Sequence, residues 1–225
     1  MNKIVNIITL MIIIPMLLLG VYVGLDVPID SFGITGQEIP YKSSVFLIGA
    51  FLCFLFHFFR SLKRWTSLYI VNKKNQFKWS VKIGSGRKKR TITYTTIEIL
   101  FMLILSFAFY KLTPVSIAIS LTLLISALDS FCFLIYGLNK FKIIVSSKAV
   151  FISDREVYSL YFKGLRKISI HQQSVYFDYI KGIQLHFPLD CFEEKDVSSF
   201  LNTINNLIDK DRVYFSKTQK YFKRN

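Results

Sequence analysis

The chain has 225 residues, of which 52% are apolar and 22 are phenylalanine, and it carries a formal net charge of +15. This composition excludes a wholly soluble globular fold, because so much apolarity can coexist with so much charge only if the two are segregated along the chain. They are segregated: apolar residues crowd into 4–25, 43–59 and 94–138, and basic residues lie between and after these blocks.

Residues 4–25, IVNIITLMIIIPMLLLGVYVGL, reach the length of about 20 apolar residues that a helix needs to cross a bilayer. The run is long for a signal-peptide core and no A-x-A pattern follows it, so an uncleaved first span is expected, with a cleaved signal as the alternative. Pro15 lies inside it, which a neighbouring helix in lipid can accommodate. The second span is 43–59, the third 93–112 and the fourth 114–138. Only a tight turn, KLTP, separates the last two, so they form a helical hairpin.

Loop 26–42 carries three acids and one lysine, whereas 60–93 carries eleven lysines and arginines. The positive-inside rule puts the basic loop in the cytoplasm, and four spans then put both termini there. This is the expected arrangement of a multi-pass protein of the bacterial inner membrane. Within the basic loop, the alternation in SLYIV (67–71) and FKWSVKI (77–83) suggests a short β-hairpin. Aromatic residues interleaved with the cations suit the anionic inner leaflet. Arg60, Lys63, Arg64, Trp65, Arg87, Lys88, Lys89 and Arg90 are therefore candidate contacts to lipid or to a partner. Nucleic-acid binding finds no fold signature beyond charge.

After Gly137 the pattern changes to period two. Residues 141–187 read as about six short strands, with Ser146-Ser147, Gly164 and Gly182 at turns. In 175–179, Val175, Phe177 and Tyr179 share a face; in 182–187, Ile183, Leu185 and Phe187 are expected inward and Gln184 and His186 outward. A helical stripe follows, formed by Val197, Phe200, Leu201, Ile204, Leu207 and Ile208, with Asp190 and Glu193 as a capping-box-like start. The expected fold class is a four-helix transmembrane bundle (1–138) plus a small α+β domain (139–210) in which a bent antiparallel sheet is closed by one helix.

This order of short strands, the FPLD turn, the acidic FEEKD helix entry and one closing helix resembles the bacterial pleckstrin-homology-like domains, in particular the YcxB-like group that follows membrane hairpins. The resemblance covers 139–210. It implies a seven-stranded domain, with the seventh strand unrecognised or supplied by the 66–83 hairpin. It also implies a binding or assembly module on the inner membrane face, with no catalytic residues and no cofactor. The tail, 211–225, holds Lys217, Lys220, Tyr221, Phe222, Lys223 and Arg224, which fit either a solvated tail or adsorption to anionic lipid.

Asp129 lies inside the fourth span, where an ionised carboxylate costs roughly 2.5–3.5 kcal/mol on insertion scales. It should face the bundle, with His57 as the other intramembrane polar residue, while Ser120, Thr122, Ser126 and Ser130 offer packing hydrogen bonds and Glu98 snorkels. The three cysteines, Cys53, Cys132 and Cys191, are scattered and support neither a zinc site nor a disulfide framework. Arg166 and His171 match an R-x4-H spacing that works on a helix, but the local pattern here is strand-like. GSGRKK (84–89) lacks the P-loop spacing. The expected role is a non-enzymatic binding, assembly or regulatory subunit whose partners are anionic lipid and a further protein, with homo-oligomers compatible. The alternative is an oligomeric channel or membrane-perturbing effector, of a defence system for instance, using Asp129.

Overall fold

A computed structural model describes residues 2–26, 33–73, 77–155, 157–180, 182–208 and 213–215. The helices are α1 (Asn2–Leu25), α2 (Lys42–Asn72), α3 (Ser85–Leu112), α4 (Ile117–Gly137) and α5 (Glu194–Leu207). The strands are β1 (Trp79–Lys82), β2 (Lys142–Val145), β3 (Ala149–Ser153), β4 (Val157–Tyr161), β5 (Leu165–His171), β6 (Ser174–Tyr179), β7 (Gln184–Pro188) and β8 (Tyr214–Phe215). The chain divides into two units, one of residues 1–63 with 94–135 and one of 64–93 with 136–225.

The first unit is helical. α1 to α4 are each long and apolar enough to cross a membrane. The unit packs around Ile13, Phe46, Ala50, Cys53, Phe109, Ile119 and Leu123, while Met11, Leu18, Leu47, Ile104 and Phe107 point outward. An exposed apolar girdle of that kind is unfavourable in water and suited to lipid. Gly24 marks a close approach: a Cβ there would sit 2.3 Å from the carbonyl oxygen of Leu112. The α3–α4 hairpin is tied by reciprocal bonds, Ser106 Oγ to Ser120 O and Ser120 Oγ to Ser106 O, both 2.8 Å. Ser120 thus bridges two helices. Thr122 and Ser126 instead donate to carbonyls of their own helix, those of Ala118 and Thr122.

The second unit holds two four-stranded sheets. One has the order β1-β2-β3-β4 and is antiparallel throughout; the other has the order β7-β6-β5-β8, with only β8 parallel to its neighbour. The two-residue turn between β5 and β6 places Gln172 and Gln173 at positive φ, 48° and 58°, the geometry whose twist matches flanking antiparallel strands. Ser146 Oγ accepts from the amide of Ala149 at 3.0 Å, which turns the chain between β2 and β3. Gly164 and Gly182 occupy left-handed φ at further turns. The helix α5 buries Val197, Phe200 and Ile204. Phe192 and Phe200 meet with ring centroids 4.5 Å apart, Phe187 and Phe200 at 6.0 Å. Trp79 of β1 joins them at 5.6 Å from Phe200 and donates to Ser199 Oγ at 3.0 Å.

Four expectations change. SLYIV is helical, not a strand, because α2 continues to Asn72. Its inward residues, Arg64, Ser67, Leu68 and Val71, recur at spacings of three and four, a helical stripe running through a segment that also alternates. Only the second half of the expected hairpin is a strand; β1 pairs with β2, Trp79 opposite Val145. The third helix begins at Ser85, so the run RKKR is its first turns rather than loop. On β7, Phe187 is buried but Leu185 is exposed, as is Ile183 just before the strand, since only one end of this edge strand lies over the core. Asp190 does not start α5; Glu193 does, and Asp190 sits in a preceding turn.

Candidate functional site

In the helical unit the polar residues converge. Arg60 on α2 is 2% exposed and forms an ion pair with Glu98 on α3. Its Nη1 also donates to Asn6 Oδ1 on α1 at 2.9 Å. A guanidinium drawn out of water needs this kind of enclosure, since a lone buried charge costs several kcal/mol. Arg60 was expected at a lipid or partner surface and Glu98 at a membrane rim; they are instead buried against each other. The period of α2 puts Arg60 on the inward stripe seven residues after Cys53, and neither residue type by itself reveals that.

Asp129 and His57 come together. They line one cavity of about 150 Å³ with Arg60, Ser126, Ser130 and the ring of Phe58. Asp129 is half-buried and His57 buried. With Ser61 also lining it, the cavity holds one acid, one arginine, one imidazole and three hydroxyls within a helical unit that exposes many apolar side chains.

In the sheet unit the basic segment is divided between structural and outward residues. Arg64 is buried, 3% exposed, in contrast to the expected surface role. Arg87 Nε bonds Asp154 Oδ2 at 2.7 Å, with the carboxylate wholly enclosed. Arg90 Nη1 bonds Asp190 Oδ2 at 2.7 Å at an exposed rim. These two bonds tie the first turns of α3 to the end of β3 and to the turn before α5. Gly84 completes the join: its amide donates to Cys191 O at 2.8 Å, and a Cβ there would lie 2.8 Å from Phe192 O. The first glycine of GSGRKK thus allows a close backbone approach. Burial pushes the adjacent Cys191 thiol up to about 12, so it stays a neutral core residue. Lys89 is exposed and Lys88 half-buried in this unit, and Lys63 is exposed in the helical unit.

Trp65 is half-buried and lies with its ring centroid 5.5 Å from that of Tyr136. Arg166 and His171 are exposed on strand β5. His171 and His186 stack on either side of Tyr176, at 3.8 and 5.2 Å. Lys217, Lys220, Tyr221, Phe222, Lys223 and Arg224 lie outside the described residues. No group of three or more metal-ligating side chains occurs among the described residues. Comparison with protein-family models, with curated proteins and with solved structures finds no match to this chain.

Proposed function

We propose that the chain is a non-enzymatic, multi-pass protein of the bacterial cytoplasmic membrane, with both termini inside. Its sheet unit acts as a pleckstrin-homology-like binding and assembly module on the membrane face. The observation that carries this reading is that residues 64–93, which run from the last turns of α2 to the first turns of α3, are built into the sheet unit. They bring β1, which makes the antiparallel strands among the described residues seven, with α5 following them. They also bring the exposed Lys89 and the half-buried Lys88, and anionic lipid attracts a cation near its surface by on the order of 1 kcal/mol.

Two measurements on the full chain test this. In intact cells, with the native cysteines replaced, an impermeant thiol reagent should label Gly33→Cys and spare Ser159→Cys on β4. In nanodiscs, amine labelling of Lys88 and Lys89 should fall several-fold when phosphatidylglycerol replaces phosphatidylcholine, and return at high salt. Labelling of Ser159→Cys from outside, or lysine labelling indifferent to lipid charge, overturns the reading.

The cavity shared by His57, Arg60 and Asp129 favours a second reading, an oligomeric channel or membrane-perturbing effector. It predicts ion flux in liposomes that collapses in Asp129→Leu; absence of flux from the wild-type chain ends it.

A further inference from the structure

The helix α2 has 31 residues, about 46 Å at 1.5 Å per residue, which exceeds a hydrocarbon core of about 30 Å by several turns. Its last turns, from Trp65 to Asn72, carry aromatic and polar side chains in place of the continuous apolar run. Tyr136 closes α4 in the same manner, one residue before its end. Trp and Tyr at the ends of spanning helices favour the headgroup layer, where an amphipathic ring can face both media.

Within the sheet unit these ends are fastened together. Asn72 Nδ2 donates to Leu68 O at 2.8 Å and to Lys140 O at 3.0 Å, which clamps the turn after α4 to the end of α2. The Lys140 ammonium lies 3.3 Å over the ring of Tyr136. The result is an open cavity of about 780 Å³ walled by Trp65, Tyr69 and Tyr136 and rimmed by Lys73, Lys140 and Lys142. Among the described residues, no acidic side chain lines it. Tyr69 is 70% exposed and Tyr136 51%, an aromatic surface that water covers poorly.

We propose that this cavity binds the headgroup of an anionic phospholipid. The lysines take the phosphodiester, and the three rings take the glycerol and the upper acyl chains. Three cations, with no acid among the described lining residues, select for negative charge. The aromatic walls select for an amphiphile over a soluble ion, because a small anion leaves those rings in water. The assignment rests on the membrane-face reading above and names its ligand.

The test uses the full chain carrying Trp79→Phe, which leaves Trp65 as the sole tryptophan, in symmetric nanodiscs. Brominated phosphatidylglycerol should quench Trp65 with an apparent preference on the order of ten-fold over brominated phosphatidylcholine, as expected for two or more lysines near the phosphate. Lys140→Gln with Lys142→Gln should bring the preference near unity, Lys73→Gln should reduce it less, and Lys195→Gln on α5 should leave it unchanged. Native mass spectrometry of the unmutated chain should show retained phosphatidylglycerol, a readout independent of the Trp79 substitution. Equal quenching by both lipids, or full preference in the double variant, overturns the proposal. So does loss of preference on adding millimolar glycerophosphate, which would make this a site for a soluble phosphate. Symmetric discs are blind to orientation, so a failed topology result leaves this one standing. A lost lipid preference with the expected cysteine labelling removes the site alone.

Discussion

The helical and sheet units each contain arginine–carboxylate pairs between distant segments, yet the surroundings differ. In the helical unit the side chains of Arg60 and Glu98 are 2% and 10% exposed. In the sheet unit Arg87 reaches solvent while Asp154 does not, and Arg90 and Asp190 both meet water. The chemistry of the bond is the same in all three. What differs is how much water each charge would regain if its partner were lost, and that decides what the pair contributes.

The largest effect should come from the pair with least water. Arg60→Ala takes the paired cation away from the Glu98 carboxylate and should destabilise the full chain by about 3–5 kcal/mol, seen as a lowered unfolding temperature in detergent. Arg60→Met with Glu98→Met should recover most of that loss, because no charge is left behind. A single variant that unfolds with the wild type would break the comparison. Next comes Asp154→Ala, at about 1.5–3 kcal/mol by the same measurement, since the Arg87 cation left behind can still turn to solvent.

The third test moves pH. The Cys191 thiol, ordinarily at 9.0, is pushed up to about 12, so the folded chain holds this proton more tightly than the unfolded one. Its contribution is complete below pH 9 and is lost as pH rises from 9 towards 12. At pH 10 the loss should be about 1.4 kcal/mol, and Cys191→Ala should flatten that part of the stability profile relative to the wild type. Identical slopes for the two chains would show that the thiol is more open than its burial indicates. The smallest effect belongs to Arg90→Ala, at no more than about 1 kcal/mol and vanishing at high salt.

Much of the architecture was legible in the residues. Four apolar blocks became four helices because length and composition are local properties, and KLTP can only turn. The strands β2 to β7 and the stripe of α5 followed from periods of 2 and 3.6, with Ser146, Gly164 and Gly182 marking bends. The misreadings fall where two periods overlap. Residues 67–71 alternate and also continue the inward stripe of α2, and packing chose the helix. The polar cavity was half legible: Asp129 stands out inside a span, but Arg60 lies at the end of an apolar block and looks like a boundary marker. Only the partner contributed by α3 shows which way it faces.

By itself the sequence determined the segregation of apolar from basic residues, the number of membrane-length helices, and the order of a sheet followed by its helix. All three depend on neighbours within a few turns. Tertiary structure decided which cations are enclosed and which remain outside, that β1 completes the sheet, and that Asp129 shares a cavity with His57 and Arg60. The cause is the range of the interaction. A periodic pattern is set by adjacent residues, whereas the energy of a charge depends on water and on a partner that only the fold brings near.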